Sequence, residues 1–325
     1  MFETIISFEN LCAAWQEFVI GKKTKKDAAE FSLDLSRNLY ALHEDLENKT
    51  YKHGACHAFK ISDPKPRDIH KATVRDRVLH HAIYRVLYPY FDRKFVCDVY
   101  SCRDEKGIHR AIRRFEKFAR KVSKNNTRTC WVLKCDIRKF FASTDQATLM
   151  RIIGRHISDL DVAWLLEKVI GSFENAPGKG LPLGNLTSQL LVNVYMNEFD
   201  RFVKHGLREK YYVRYADDFV FLCENHYHLE ALISRISNFL DQELKLSLHP
   251  RKVKIKTWAS GVDFLGWVCF PDHKVLRTTT KRRMLKRIAR NPSDTTVASY
   301  LGMLKHGNAE KLTKQVLLLL PNEED

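Results

Sequence analysis

Tyr211-Tyr212-Val213-Arg214-Tyr215-Ala216-Asp217-Asp218-Phe219-Val220-Phe221-Leu222-Cys223 is the most informative stretch of this sequence. Two short β-prone runs, Tyr212-Val213 and Phe219 to Leu222, flank Ala216-Asp217-Asp218, the pattern of a β-hairpin with acids at its tip. Adjacent carboxylates repel one another unless a cation compensates, and Mg²⁺ takes carboxylate oxygens together with substrate phosphates. Taken alone, the stretch also fits an acidic surface turn. A second acid bears on the choice. Lys134-Cys135-Asp136-Ile137 places Asp136 at the end of an apolar strand that runs into Phe140-Phe141. Asp136 beside the Asp217-Asp218 turn completes a three-carboxylate cluster. Such a cluster suits two metal ions about 4 Å apart and in-line phosphoryl transfer. By itself Asp136 reads equally as a strand-end cap.

Outward from the hairpin, helical and β periodicity alternate in both directions. Residues 8–48 carry a helical pattern with Leu33, Leu35, Leu39, Leu42 and Leu46 on one broad stripe. A short irregular piece follows, and Asp63-Pro64-Lys65-Pro66-Arg67 marks a rigid loop. Residues 74–91 return to helix, Gly107 opens another as far as about Lys121, and residues 129–137 read as a strand. A Gly/Pro loop over residues 175–184 leads into a helix over about 185–205. After the hairpin come a helix over about 227–243, strands near 253–255 and 264–270, and a basic helical segment from about Lys281. The class is α+β.

Charge narrows the function. Lys and Arg number 55 against 39 Asp and Glu, a net charge of +16, which points to a polyanionic partner. The bias is one-sided over residues 274–314, with eleven Lys/Arg against two Asp/Glu, as suits a surface riding a phosphate backbone. No apolar run approaches the roughly 18–20 residues that span a bilayer. The start has no secretory pattern. The leucine run over 317–320 reads as the buried end of a helix. The eight cysteines are scattered; Cys97/Cys102 and Cys130/Cys135 are five apart, which is not zinc-site spacing. They read as reduced, mostly buried thiols of a cytoplasmic protein. His57, His80 and His81 show no metal-ligand pattern and read as surface or core residues.

Tyr215-Ala216-Asp217-Asp218, preceded by the Asp136 strand and followed by Leu246 to Lys252 and Phe264-Leu265-Gly266-Trp267, resembles the palm of a reverse transcriptase, in order and spacing, from about residue 60 to 270. The resemblance implies a right-hand polymerase. Its parts would be an N-terminal helical extension (1–60), fingers (61–128), a palm (129–270) with a finger–palm loop (171–189), and a basic helical thumb (271–325). Within that family Asp136 and Asp217 would be the principal ligands of two Mg²⁺ ions, with Mn²⁺ able to substitute, and Asp218 the neighbouring acid. Phe141 would be the steric gate that rejects a 2′-hydroxyl, with simple core packing as the alternative. Lys65, Arg67 and Arg75 match basic residues that hold the incoming triphosphate, Arg being suited to bidentate phosphate contact; a solvated basic face is the other reading. Ser101-Cys102-Arg103 with Gly107 matches an element near the template strand. Lys252 and the tail residues Lys281, Arg282, Arg283, Lys286 and Arg287 would contact nucleic acid.

Gly180-Leu181-Pro182-Leu183-Gly184-Asn185-Leu186-Thr187-Ser188-Gln189 resembles the reverse transcriptases of diversity-generating retroelements rather than those of group II introns, which usually carry Gln at the position of Leu183 and Ser-Pro where this chain has Ser188-Gln189. Asp76-Arg77-Val78-Leu79-His80-His81-Ala82 and Lys49-Thr50-Tyr51 look like the same group. The resemblance implies error-prone copying of a template RNA at adenines, with Leu183 and Arg75 as candidate determinants and Leu183 and Gln189 at the nucleotide. It also implies a small basic pentameric accessory protein, and the thumb as far as residue 325 would leave no room for a further domain. A group II-like or phage-defence reverse transcriptase, a DNA-templated or template-independent polymerase and a non-catalytic nucleic-acid-binding scaffold are the competing readings.

Overall fold

The acidic hairpin is built into a four-stranded sheet. The computed structural model describes residues 1–62 and 66–319. In chain order the elements begin with α1 (Phe2–Ile6), α2 (Phe8–Val19), α3 (Lys26–Ser32), α4 (Leu35–Glu47), β1 (His57–Ile61), β2 (Arg67–Lys71), α5 (Val74–Asp92) and α6 (Ile108–Val122). Then come β3 (Trp131–Asp136), α7 (Phe140–Ser143), α8 (Gln146–Gly154), α9 (Leu160–Ile170), α10 (Leu186–Arg201), β4 (Tyr212–Tyr215), β5 (Asp218–Cys223) and α11 (His226–Leu244). The chain closes with β6 (Lys254–Thr257), β7 (Val262–Phe264), β8 (Trp267–Cys269), β9 (Lys274–Leu276), α12 (Thr278–Arg290), α13 (Asp294–Leu304) and α14 (Glu310–Leu317).

Two compact units result. One comprises residues 1–97, 137–208 and 236–248; the other comprises 98–136, 209–235 and 249–325. In the first, α5 is the hub, with α2 and α10 packed on it. Its start is fixed by Thr73, whose hydroxyl accepts from the Asp76 N–H. In the second, the sheet runs β4-β5-β3-β6, antiparallel throughout. Phe219 to Leu222 are all buried, which explains why β5 reads as an unbroken apolar run: a strand covered on both faces has no polar side to alternate with. Helix α6 packs against β4 and β5 through Ala111, Ile112, Phe115 and Phe118.

Several expectations are corrected. The irregular piece after residue 48 contains β1, paired with β2 from His57↔Lys71 to Ile61↔Arg67. Every residue of β1 is exposed, so no apolar alternation announces it. The segment over 264–270 is not one strand but the β7–β8 hairpin, turning at Leu265 (φ 51°) and Gly266 (φ 89°), the two left-handed residues that a tight primed turn needs. The helical pattern over 8–48 is broken after α2, where Gly21 takes φ 68° past the helix end, and again between α3 and α4. Leu39, Leu42 and Leu46 are buried as expected, but Leu33 is 88% exposed and Leu35 only half-buried, since they lie at that second break. Leu317, Leu318 and Leu319 are exposed rather than buried: α14 buries Leu312 and Val316, and the next residues rotate off that face. All eight cysteines are free thiols, yet only Cys130, Cys135 and Cys269 are buried. His80 is a core residue, hydrogen-bonded to Thr187 and pushed down to about 3 by burial and then by His53, so it is neutral. Among the described residues no helix is long and apolar enough to cross a membrane.

Candidate active site

Strand register brings the acids together. Asp136, the last residue of β3, stands directly opposite Asp218, the first residue of β5. Directly opposed residues on neighbouring antiparallel strands lie with Cα atoms about 5 Å apart. Tyr215 pairs with Asp218, so only Ala216 and Asp217 form the loop of the β4–β5 hairpin. Ala216 takes φ 53°, the left-handed conformation normally left to glycine at the first corner of such a turn. The strain is of order 1 kcal/mol. It persists because both flanking strands are locked in the sheet.

A buried cation pins the turn. Arg214 in β4 is 0% exposed, and its guanidinium Nη1 donates to the Ala216 carbonyl at 3.0 Å. Its backbone is also held: the Arg214 N–H donates to the Asp98 carbonyl, and the Tyr100 N–H donates to the Arg214 carbonyl, each at 3.0 Å. Sequence reasoning missed Arg214. Its signal was a charged residue inside an otherwise apolar strand run.

Two ammonium groups meet the carboxylates. Lys252 Nζ donates to both oxygens of Asp136, at 2.8 and 2.7 Å. Lys134 Nζ lies 3.5 Å from an oxygen of Asp218 and donates to the Asp263 carbonyl at 2.9 Å. Lys252 was assigned to nucleic acid from sequence; here its head group is engaged by Asp136. Lys134 was quoted in the strand but given no role. Asp217 has no ion pair among the described residues. Its carboxyl is pushed up to about 6, first by burial and then by the charges of Asp218 and Asp136. Asp218 is raised by burial, while Lys134 pulls the other way.

These residues fit divalent cations. Hard oxygen donors suit Mg²⁺, and the raised Asp217 and Asp218 show negative charge that the two lysines leave uncompensated. As the side chains stand, the described residues hold no ready cage of three or more metal ligands, both oxygens of Asp136 being taken by Lys252.

The other residues singled out from sequence fall as follows. In the first unit, Phe141 is half-buried in α7, and its carbonyl accepts from the Leu181 N–H at 2.9 Å. The half-buried Leu183 gives its carbonyl to the His70 N–H of β2 at 3.2 Å. Thus α7, the loop over 180–184 and the β1–β2 hairpin are joined by main-chain bonds. Gln189 is half-buried in the first turn of α10. Asn185, just before that helix, is buried with neither amide atom hydrogen-bonded, an orphan pair beside Leu183 that sequence gave no reason to single out. Arg67 opens β2 and is exposed. Arg75 pairs with Asp45 and lies over the Tyr51 ring, 5.1 Å from its centroid. Lys65 lies outside the described residues. In the second unit, Arg103 donates to the Val99 carbonyl at 3.3 Å. On α12, Met284 and Ile288 are buried, while Lys281, Arg282, Lys286 and Arg287 are exposed and Arg283 is half-buried.

The chain is similar to several known proteins. "Protein YkfC" of Escherichia coli K12 is 27% identical over 272 residues, 72% of this chain and 69% of that protein. The group II intron-encoded protein LtrA of Lactococcus lactis is 25% identical over 150 residues, 44% of this chain and only 24% of that protein. An apo telomerase from Candida tropicalis superposes with a TM-score of 0.52 at 12% identity, covering 74% of this chain and 60% of the other. That likeness carries the fold alone, a mixed α/β right-hand polymerase with antiparallel sheets. The model of the family described as reverse transcriptase (RNA-dependent DNA polymerase) matches residues 60–269, and the chain belongs to that family of RNA-dependent DNA polymerases.

Proposed function

We propose that this protein copies a template RNA into DNA for a diversity-generating retroelement, with errors concentrated opposite template adenines. The polymerase chemistry is carried by one observation: Asp136, Asp217 and Asp218 share one end of the β3–β5 ladder. Two Mg²⁺ ions, or Mn²⁺ in their place, would be held by these three acids and would acidify the primer 3′-hydroxyl and neutralise the departing pyrophosphate. The chain's own groups position the reactants. Arg214 fixes the turn that presents Asp217. Lys65, Arg67 and Arg75 grip the triphosphate, with Arg75 first leaving Asp45. Phe141 packs against the sugar, and Gln189 lies behind Leu183. Arg103 meets the template, and Lys281, Arg282, Arg283, Lys286 and Arg287 hold the backbone of the RNA/cDNA hybrid, as Lys252 does once freed from Asp136.

Leu183 supports the finer assignment. Its carbonyl is taken by His70, so what this position adds at the nucleotide is an apolar side chain, where Gln would offer an amide. A site without a polar partner loses less with a mismatched one, so discrimination falls. A small basic pentameric accessory protein and a structured template RNA complete the assembly in the cytoplasm. The likeness to LtrA favours a second reading, an accurate group II-like enzyme.

Primer extension on an RNA template with Mg²⁺, followed by sequencing of the product, separates the readings. The proposal expects cDNA that vanishes in Asp217→Ala/Asp218→Ala, carries substitutions opposite adenines, and becomes more accurate in Leu183→Gln. Accurate wild-type cDNA would leave the group II-like reading; no synthesis with accessory protein and cognate RNA present would remove the polymerase.

A further inference from the structure

Helix α6 presents a row of cations that the polymerase chemistry does not use. Its apolar side is spent on the sheet, where Ala111, Ile112, Phe115, Phe118, Ala119 and Val122 are buried. On the opposite side Arg110, Arg113, Lys117, Arg120 and Lys121 are exposed, and Lys124 continues the row past the helix end. The steps from 110 to 113, 117 and 120 are three, four and three residues, so these side chains share one face over about 15 Å. Arg110 lies 3.9 Å from Glu105, and the nearby Glu116 is taken by Lys274 at 3.0 Å. Arg113, Lys117, Arg120, Lys121 and Lys124 have no carboxylate partner among the described residues.

A second feature adjoins the row. A cavity of about 300 Å³ lies against α6, lined by Arg120, Phe270, His273, Lys305 and His306 among others. Phe270 and His273 are stacked there, with ring centroids 4.5 Å apart and planes at 9°. His306 in turn stacks on His109 of α6 at 3.6 Å. The positive field is felt locally: His109 is pushed down by burial, then by His306, Arg113 and Lys274.

We propose that this face of α6, with the adjoining cavity, is a docking surface for the phosphate backbone of RNA outside the template–primer duplex. Unpaired cations in a regular row neutralise phosphates without reading sequence, and stacked rings beside cations accept an unpaired base at the end of the row. A lipid surface fits less well. An interfacial helix needs a broad apolar side to insert, and that side of α6 is buried in the core. The choice of RNA as the polyanion rests on the polymerase reading; the row itself does not.

The test compares the full chain with Arg113→Gln/Lys117→Gln/Arg120→Gln/Lys121→Gln and with a charge-matched control, Lys23→Gln/Lys25→Gln/Lys26→Gln/Lys245→Gln, after thermal melts show all three folded. Binding of a long structured RNA is titrated against salt, and extension of a short primer–template is measured alongside. The α6 variant should lose about tenfold in RNA affinity, and its salt slope should fall by about 3, from roughly 0.7–0.9 per lost contact. Short-duplex extension should be unchanged. Equal loss in the control would overturn the proposal in favour of net charge alone. Loss of binding to phosphatidylserine vesicles with RNA binding intact would overturn it in favour of a membrane. Unchanged RNA binding by the α6 variant refutes the surface even when extension is normal. A wild type that never extends a primer refutes the polymerase reading instead, while its RNA titration still reports on the row.

Discussion

Asp217 should be a residue whose removal makes the protein more stable and inactive at once. Its carboxyl is raised from 3.8 to about 6 by burial and by two neighbouring acids. Between about pH 4 and 6 the native state therefore holds a proton that the unfolded chain has released, so stability falls as pH rises through that window. Above it the whole cost of the buried charge stands. At about 1.4 kcal/mol per unit, a rise of about two units sets a ceiling near 3 kcal/mol. The side chain is not fully enclosed, and screening by solvent cuts this to about 1–2 kcal/mol. Asp217→Asn keeps the size and the turn but removes the charge. In chelator at about pH 8 the variant should unfold about 2–4 °C higher than wild type, and near pH 4 the two melts should coincide. Adding Mg²⁺ should stabilise the wild type alone and shrink or reverse the gap, because only the intact acids bind the ion. The same elevation at both pH values, or none at about pH 8, would refute the account of Asp217 as an uncompensated buried charge.

Three further outcomes follow from the hairpin and its neighbours. Ala216→Val places a β-branched residue at φ 53°, and should cost about 2 kcal/mol in denaturant unfolding and most of kcat. Arg214→Lys keeps the buried charge but loses the fork that reaches the Ala216 carbonyl; kcat should fall by tenfold or more with KM nearly constant, whereas a loss confined to stability would make Arg214 a core residue only. Phe141→Ala should raise the ratio of ribonucleotide to deoxyribonucleotide kcat/KM by at least tenfold, and an unchanged ratio would leave Phe141 to packing.

What the sequence disclosed and what it hid divide along physical lines. The acidic hairpin was legible because β5 is buried on both faces and only two residues separate the strands, so neither its register nor its turn has an alternative. Asp136 was legible because it ends an apolar strand. The β1–β2 pair was not, since β1 is exposed on both faces and β2 buries no residue fully, which leaves no period in hydrophobicity. The contacts of the two lysines with the acids were not legible. Lys252 stands 116 residues from Asp136 in sequence, and its segment is brought alongside by pairing of β3 with β6 and by the His249 N–H, which donates to the Asp136 carbonyl. Nor could Arg214, whose partner is a main-chain oxygen that exists in that place only because Ala216 is left-handed.

The distribution of charge at the site follows from the same pairing. Three carboxylates face two ammonium groups, and the sharing is uneven. Asp136 has both oxygens on Lys252, Asp218 has Lys134 at the longer distance of 3.5 Å, and Asp217 has neither. Coulomb attraction falls with separation and is stronger where water is partly excluded, so the deficit concentrates on Asp217, the acid on the strained turn and the one raised to about 6. A third partner carrying positive charge would therefore be favoured most at the hairpin tip, and it would weaken the hold of Lys252 on Asp136. The lysines keep the folded sheet tolerable before a cation binds, and leaving one acid unserved is what keeps the site open to it.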